Sequence, residues 1–100
     1  MADTQVDTDE EILFPDDYIS SISERMRLYK ELDSMSRDED IDRFGRELED
    51  RFGPMPRPSA ELLEVVKIRI RAQKLGVERV LFKNNQVTFY FVSDQKSAFY

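Results

Sequence analysis

Apolar positions recur at three- and four-residue steps over the first three quarters of the chain and then alternate, which predicts helices followed by strands. Ile22, Met26, Leu28, Tyr29 and Leu32 share one broad face of a first helix expected over about 22–34. Ser21-x-x-Glu24 precedes it as a capping box, in which the serine oxygen and the glutamate each satisfy a free amide. A second box, Ser36-Arg37-Asp38-Glu39, follows so closely that the two helices are most simply an antiparallel hairpin. Ile41, Phe44, Leu48 and Phe52 form the narrow stripe of the second helix. Gly53 offers a left-handed stop, and Pro54, Pro56 and Pro58 forbid continuation. The third helix is expected from Pro58 or Ser59 to Leu75, with Gly76 after it. Leu62, Leu63, Val66, Ile70 and Leu75 lie on an apolar surface so wide that this helix should be central.

Beyond Gly76 the period shortens to two. Val77–Lys83 and Gln86–Val92 are β-branched and aromatic runs around Asn84-Asn85, a pair that tolerates the positive φ of a tight hairpin turn. Two strands need a third strand or a helix for stability. Thr4, Val6 and Thr8 alternate, so residues 5–9 can supply that strand if an edge is open to them. The fold class expected is therefore α+β: a helical hairpin and a central third helix packed with a β-hairpin, with a third, N-terminal strand available. Residues 93–100 resemble a capped helix start without continuation. The division expected is an acidic lead-in or edge strand over 1–11 and one domain over 12–100.

Composition narrows the chemistry. The 100 residues contain neither cysteine nor histidine, which excludes disulfides, thiolate or imidazole zinc sites and Ser-His-Asp triads. Adjacent acids such as Glu10/Glu11 and Asp16/Asp17 read as turn and cap chemistry, so no catalytic set is expected. The net charge of −6 conceals a gradient: residues 1–40 carry thirteen acids against four bases, and residues 61–100 four against seven. Such an acidic front suits a basic protein surface and argues against direct DNA binding, in which phosphate contacts dominate. No apolar run reaches membrane-spanning length, and the acidic amino terminus is unlike a signal peptide. The expectation is a cytoplasmic domain with no membrane partner.

Three strings, Phe14-Pro15-Asp16-Asp17-Tyr18-Ile19, Ser23 to Lys30 (SERMRLYK) and Glu47 to Pro54 (ELEDRFGP), with Ile68-Arg69 and Leu75-Gly76, resemble in order and spacing the C-terminal domain of the bacterial transcription-repair coupling factors, the Mfd family. The match runs along about residues 12–92. The family pattern continues past Tyr100 with further helical segments, so a regulatory domain truncated before its last helices is expected. The resemblance implies a parent ATP-dependent DNA translocase that releases stalled RNA polymerase and recruits UvrA. ATP and magnesium would belong to that parent's motor; no cofactor is expected here, since three glycines include no phosphate loop. It further implies that this domain docks on the UvrB-like N-terminal module and masks its UvrA-binding surface.

On that reading Glu47 and Asp50 of the E-L-x-D-R-F-G string, with Arg51 beside them, face arginines of the UvrB-like module. Carboxylate–arginine pairs suit a reversible, salt-sensitive lock. Without the resemblance the same face is an ordinary solvated one, laced by the pairs Glu39/Arg43, Asp42/Arg46 and Glu47/Arg51. Arg25 and Arg69 fall within apolar arcs and are expected in structural ion pairs with Asp16, Asp17, Glu31 or Asp50. Lys67, Arg71 and Lys74 make a weak cationic strip, the basis of an alternative reading as an accessory nucleic-acid-contacting module. For Phe82, Phe89, Tyr90 and Phe91, alternating burial against the third helix accounts for at least half, so core packing reads ahead of a base-stacking platform. A third reading is a purely structural oligomerisation domain.

Overall fold

A computed structural model describes residues 4–8, 12–84 and 86–91. Elements follow in the order β1 (Gln5–Thr8), α1 (Ile22–Asp33), α2 (Asp38–Phe52), α3 (Arg57–Lys74), β2 (Val77–Lys83) and β3 (Gln86–Phe91). Among the described residues the fold is α+β, three helices and a three-stranded sheet, as the pattern implies. The chain forms two compact units, 12–67 and 1–11 with 68–100.

The unit 12–67 is the helical one. Ser21 caps α1 by accepting a hydrogen bond from the Glu24 amide at 3.2 Å, and Ser34 closes the far end by donating to the Glu31 carbonyl at 2.7 Å. The second capping box does not form. The N-cap of α2 is Arg37, which makes no side-chain cap; instead the first turn carries Asp38, Glu39 and Asp40, whose charges suit the positive end of the helix dipole. Leu28, Leu32, Ile41, Phe44 and Leu48 are buried, but Ile22 and Met26 are 69% and 55% exposed, so only part of the α1 stripe meets the core. Gly45, in mid-helix where glycine is costly, has its explanation in a close approach. A Cβ there would stand 3.0 Å from Leu63 Cδ1 on α3.

The segment before α1 is part of this core. Phe14 is 2% exposed; its ring stacks on Tyr29 with centroids 4.9 Å apart and tilts against Phe44 at 6.3 Å. Its amide donates to the Tyr29 hydroxyl at 2.9 Å, and fully buried Ser59 donates to the Leu13 carbonyl at 2.8 Å.

In the other unit β2 pairs in parallel with β1 (Gln5 opposite Arg79, Asp7 opposite Leu81) and antiparallel with β3 (Val80 opposite Phe89). The alternation at Thr4, Val6 and Thr8 thus finds its edge. Buried Thr4 donates to the Val77 carbonyl at 2.7 Å, and Arg79 meets Asp7 at 2.6 Å. Ala72 of α3 packs with Val77 and Val80, joined by Ile68 and Phe82. The β2–β3 turn uses positive φ at Asn84 (53°), while Asn85 and the helix start read over 93–100 lie outside the described residues. Two expectations fail here. Leu75 is exposed, and of the four hairpin aromatics only Phe82 packs on this core; Phe89, Tyr90 and Phe91 are exposed along β3. Alternation sorts side chains onto faces, but burial needs a covering layer, and that layer reaches β2.

Candidate functional site

The three sequence strings meet in the helical unit. Tyr18 of the first packs its ring on Phe52 of the third at 5.8 Å and donates its hydroxyl to the Gly53 carbonyl at 2.8 Å. Burial first, and then the Glu49 carboxylate, raise the Tyr18 phenol above its ordinary value. Glu49 also accepts from the Met55 amide at 3.0 Å, fixing the turn after α2. Phe14 of the first string stacks on Tyr29 of the second. Glu24 of the second string receives Arg51 of the third at 2.8 Å. The strings are spaced as they are because the helical hairpin is antiparallel, which sets the start of α1 beside the end of α2.

The charged face of α2 is wired differently from its sequence. None of the three expected i,i+4 pairs forms. Arg51 leaves Glu47 for Glu24 on α1, and its guanidinium lies over the Phe52 ring, 4.7 Å from the centroid. Asp42 leaves Arg46 for Lys67 on α3 at 2.6 Å. Arg43 takes Asp40 at 3.3 Å, and Arg37 takes Glu39 at 3.4 Å. An i,i+4 pair is worth only about 0.2–0.5 kcal/mol, so a nearby helix offering a better-placed partner easily displaces it. Two of these exchanges tie helices together.

Glu47 and Asp50 are both exposed, and among the described residues neither side chain makes an ion pair or hydrogen bond. Glu47 stands on the rim of a groove of about 230 Å³ between α1 and α2. Leu28, Phe44 and Leu48 floor it; Arg27, Glu31 and Arg51 share the rim. The structure therefore brings Glu47 and Arg51 to one groove and leaves Asp50 on the open face of the same helix.

The other expected residues fare unequally. Arg25 donates to the Ile19 carbonyl rather than to a carboxylate, so its stem crosses apolar surface to a neutral acceptor. Arg69 is partly buried on α3. Lys67 is not a solvated cation: its side chain is 16% exposed and is held by Asp42 and, at 3.7 Å, by Glu64. Of the cationic strip only Arg71 and Lys74 remain exposed. Among the described residues no acidic cluster could hold a metal ion, and no helix is long and apolar enough to cross a membrane.

Glu24 and Asp42 went unrecognised as cross-helix partners, although an antiparallel hairpin already implies the first. They have a consequence for pH. Hydrogen bonds from Arg27 and then Arg51 hold the Glu24 carboxyl below its ordinary value, and Lys67 does the same for Asp42. Both groups bind fewer protons folded than unfolded. Their contribution is complete above the ordinary carboxylate range, about pH 4–5, and is lost as pH falls through the depressed values. Lys67, raised by Asp42, contributes fully below about pH 10 and loses that contribution as pH rises through its folded value. The urea midpoint should therefore hold steady from about pH 6 to 9 and decline toward pH 3. Asp42→Asn should flatten part of the acid decline.

Residues 8–100 match the family described as the TRCF domain. The chain is 35% identical over 77 residues to the transcription-repair-coupling factor of Escherichia coli (strain K12), covering 77% of this chain and 7% of that protein. With the protein of the same description from Helicobacter pylori (strain J99) it is 30% identical over 80 residues, 80% of this chain and 8% of that one. A solved crystal structure of the C-terminal domain of transcription-repair coupling factor superposes with a TM-score of 0.83 at 28% identity, covering 98% of this chain and 61% of that domain. The chain thus spans less than a tenth of these two relatives and about three fifths of the solved domain.

Proposed function

Because the chain belongs to the TRCF domain family and corresponds to the C-terminal domain of a transcription-repair coupling factor, we propose that it is a non-catalytic regulatory domain that docks on the UvrB-like N-terminal module of its parent. Docked there, it masks the surface that recruits UvrA until RNA polymerase is engaged. The parent is a cytoplasmic, ATP-driven DNA translocase, and the domain acts on it as an intramolecular clamp. The observation that carries this reading is the state of Glu47 and Asp50. Arg51 and Asp42 of the same helix are engaged by Glu24 and Lys67, and Glu47 and Asp50 are left facing solvent one turn apart. The helix backbone that carries these carboxylates is already ordered, so only their side chains lose freedom on meeting a guanidinium, and the contact can be bidentate. A nucleic-acid role is less well supported, since Lys67 is engaged by Asp42.

The test is binding of this chain to the separately expressed UvrB-like module at low and moderate salt, with UvrA as competitor. Salt-sensitive binding that UvrA displaces is expected, and the double variant Glu47→Arg, Asp50→Arg should weaken it by at least about tenfold. Its thermal unfolding should move little, within roughly 0.5 kcal/mol, because both side chains are exposed. Loss of the fold in that variant would make the two acids structural and end the proposal.

A further inference from the structure

Arg51 is four residues from Glu47 on α2, the spacing at which a helix pairs opposite charges. It is nevertheless turned away. Glu24 Oε2 accepts from Arg51 Nη2 at 2.8 Å and from Arg27 Nη2 at 2.5 Å, so one carboxylate oxygen bridges two guanidiniums. Glu31 stands 3.6 Å from Arg27 Nη1, which completes an alternating row of charges, Glu31–Arg27–Glu24–Arg51. Glu47 lines the same groove as Arg27, Glu31 and Arg51. The flat Arg51 guanidinium is fixed further by the Phe52 ring beneath it.

We propose that Glu24 of α1 is a positioning residue of the docking surface: by holding Arg51 on α1 it keeps the Glu47 carboxylate open to a guanidinium of the partner protein. The inference rests on the docking reading and extends it to a second helix. Without the Glu24 charge, Arg51 has one carboxylate within helical reach, and that is Glu47. An arginine already on Glu47 repels an incoming arginine and occupies the oxygens it needs. Glu24 itself need not touch the partner, since its oxygen is already shared by two arginines. Charge alone does not account for the arrangement. Glu24 and Glu47 have the same sign, so a merely additive acidic surface would make either loss equivalent.

The experiment uses the whole chain and two readouts. In the first, the side-chain Nε–H resonance of Arg51 is followed by NMR as Glu47 is changed to Gln, in the natural background and in Glu24→Gln. The resonance should ignore Glu47→Gln while Glu24 is present and should shift clearly once Glu24 is neutral. An equal response in both backgrounds overturns the inference. In the second, Glu24→Gln should lower affinity for the UvrB-like module about three- to tenfold, and Glu47→Gln added to it should lower it little further, since both act on one carboxylate. Fully independent losses would place Glu24 in direct contact with the partner and overturn the positioning role. If the unaltered chain does not bind the module at all, the docking reading falls, and with it the role of Glu24 in keeping Glu47 open. The first readout still decides separately whether Glu24 holds Arg51.

Discussion

Phe14→Ala is expected to destabilise the helical unit by about 3–5 kcal/mol, the usual cost of truncating a buried phenylalanine. A domain of this size holds roughly 5–15 kcal/mol, so the variant should melt more than about 10 °C lower or fail to fold. The ring is nearly inaccessible, stacks on Tyr29 and leans on Phe44, so its removal opens a cavity against two helices at once. The backbone cannot slide in to fill it. The Phe14 amide is bonded to Tyr29, and the neighbouring Leu13 carbonyl to Ser59 of α3. Phe14→Leu, which keeps most of the volume, should cost about 1–2 kcal/mol. Circular dichroism melts of the two variants separate the cavity from the lost ring contact. A loss below about 1 kcal/mol for the alanine variant would mean that the segment before α1 is merely laid on the helices.

Gly53→Ala should cost about 1–3 kcal/mol for a different reason. Gly53 sits at φ 92° and ψ −173°, a region essentially reserved for glycine. An added Cβ would meet nothing within 4 Å, so no crowding contributes and the whole effect is backbone strain. A D-alanine introduced by chemical synthesis accepts positive φ and should restore most of the loss, which a packing defect would not allow. The variant also bears on the site. The Gly53 carbonyl receives the Tyr18 hydroxyl, and α2 must end there for Glu47, Asp50 and Arg51 to lie on its last turns. Equal unfolding midpoints for the L-alanine variant and the natural chain would show that the turn relaxes freely.

Where local rules operate, sequence and structure agree. The Ser21 cap, the Gly53 stop, the α2 stripe and the change of period at Gly76 each depend on a few consecutive residues, and each is seen. The failures fall where the outcome depends on what another element offers. Ser36 misses the capping role because α2 begins at Asp38, which puts Arg37 at the N-cap. Ile22 and Met26 continue an apolar pattern, yet the core takes Leu28 and Leu32 from α1, with Tyr29 stacked on Phe14. Phe89, Tyr90 and Phe91 follow one another along β3 and all are exposed, because the strand pattern does not say whether anything lies over a face. Glu47, Asp50 and Arg51 were legible as a set only through the family resemblance. That Arg51 would take Glu24 required the fold, because i,i+4 reasoning does not look across to a neighbouring helix.

The parallel pairing of β1 with β2 has a consequence in time. The hairpin partner of β2 is its immediate successor, but Gln5 must wait for Arg79. At roughly 5–20 residues per second on the ribosome, the stretch between them takes about 4–15 s to make. Throughout that interval β1 is a strand without a sheet, the condition in which chains pair with the wrong neighbour. Asp7 is suited to that interval: a charge in the middle of a short strand discourages association with other chains. When β2 arrives, the same carboxylate meets Arg79 at 2.6 Å, so the charge that guarded the unpaired strand becomes a fastening of the finished sheet.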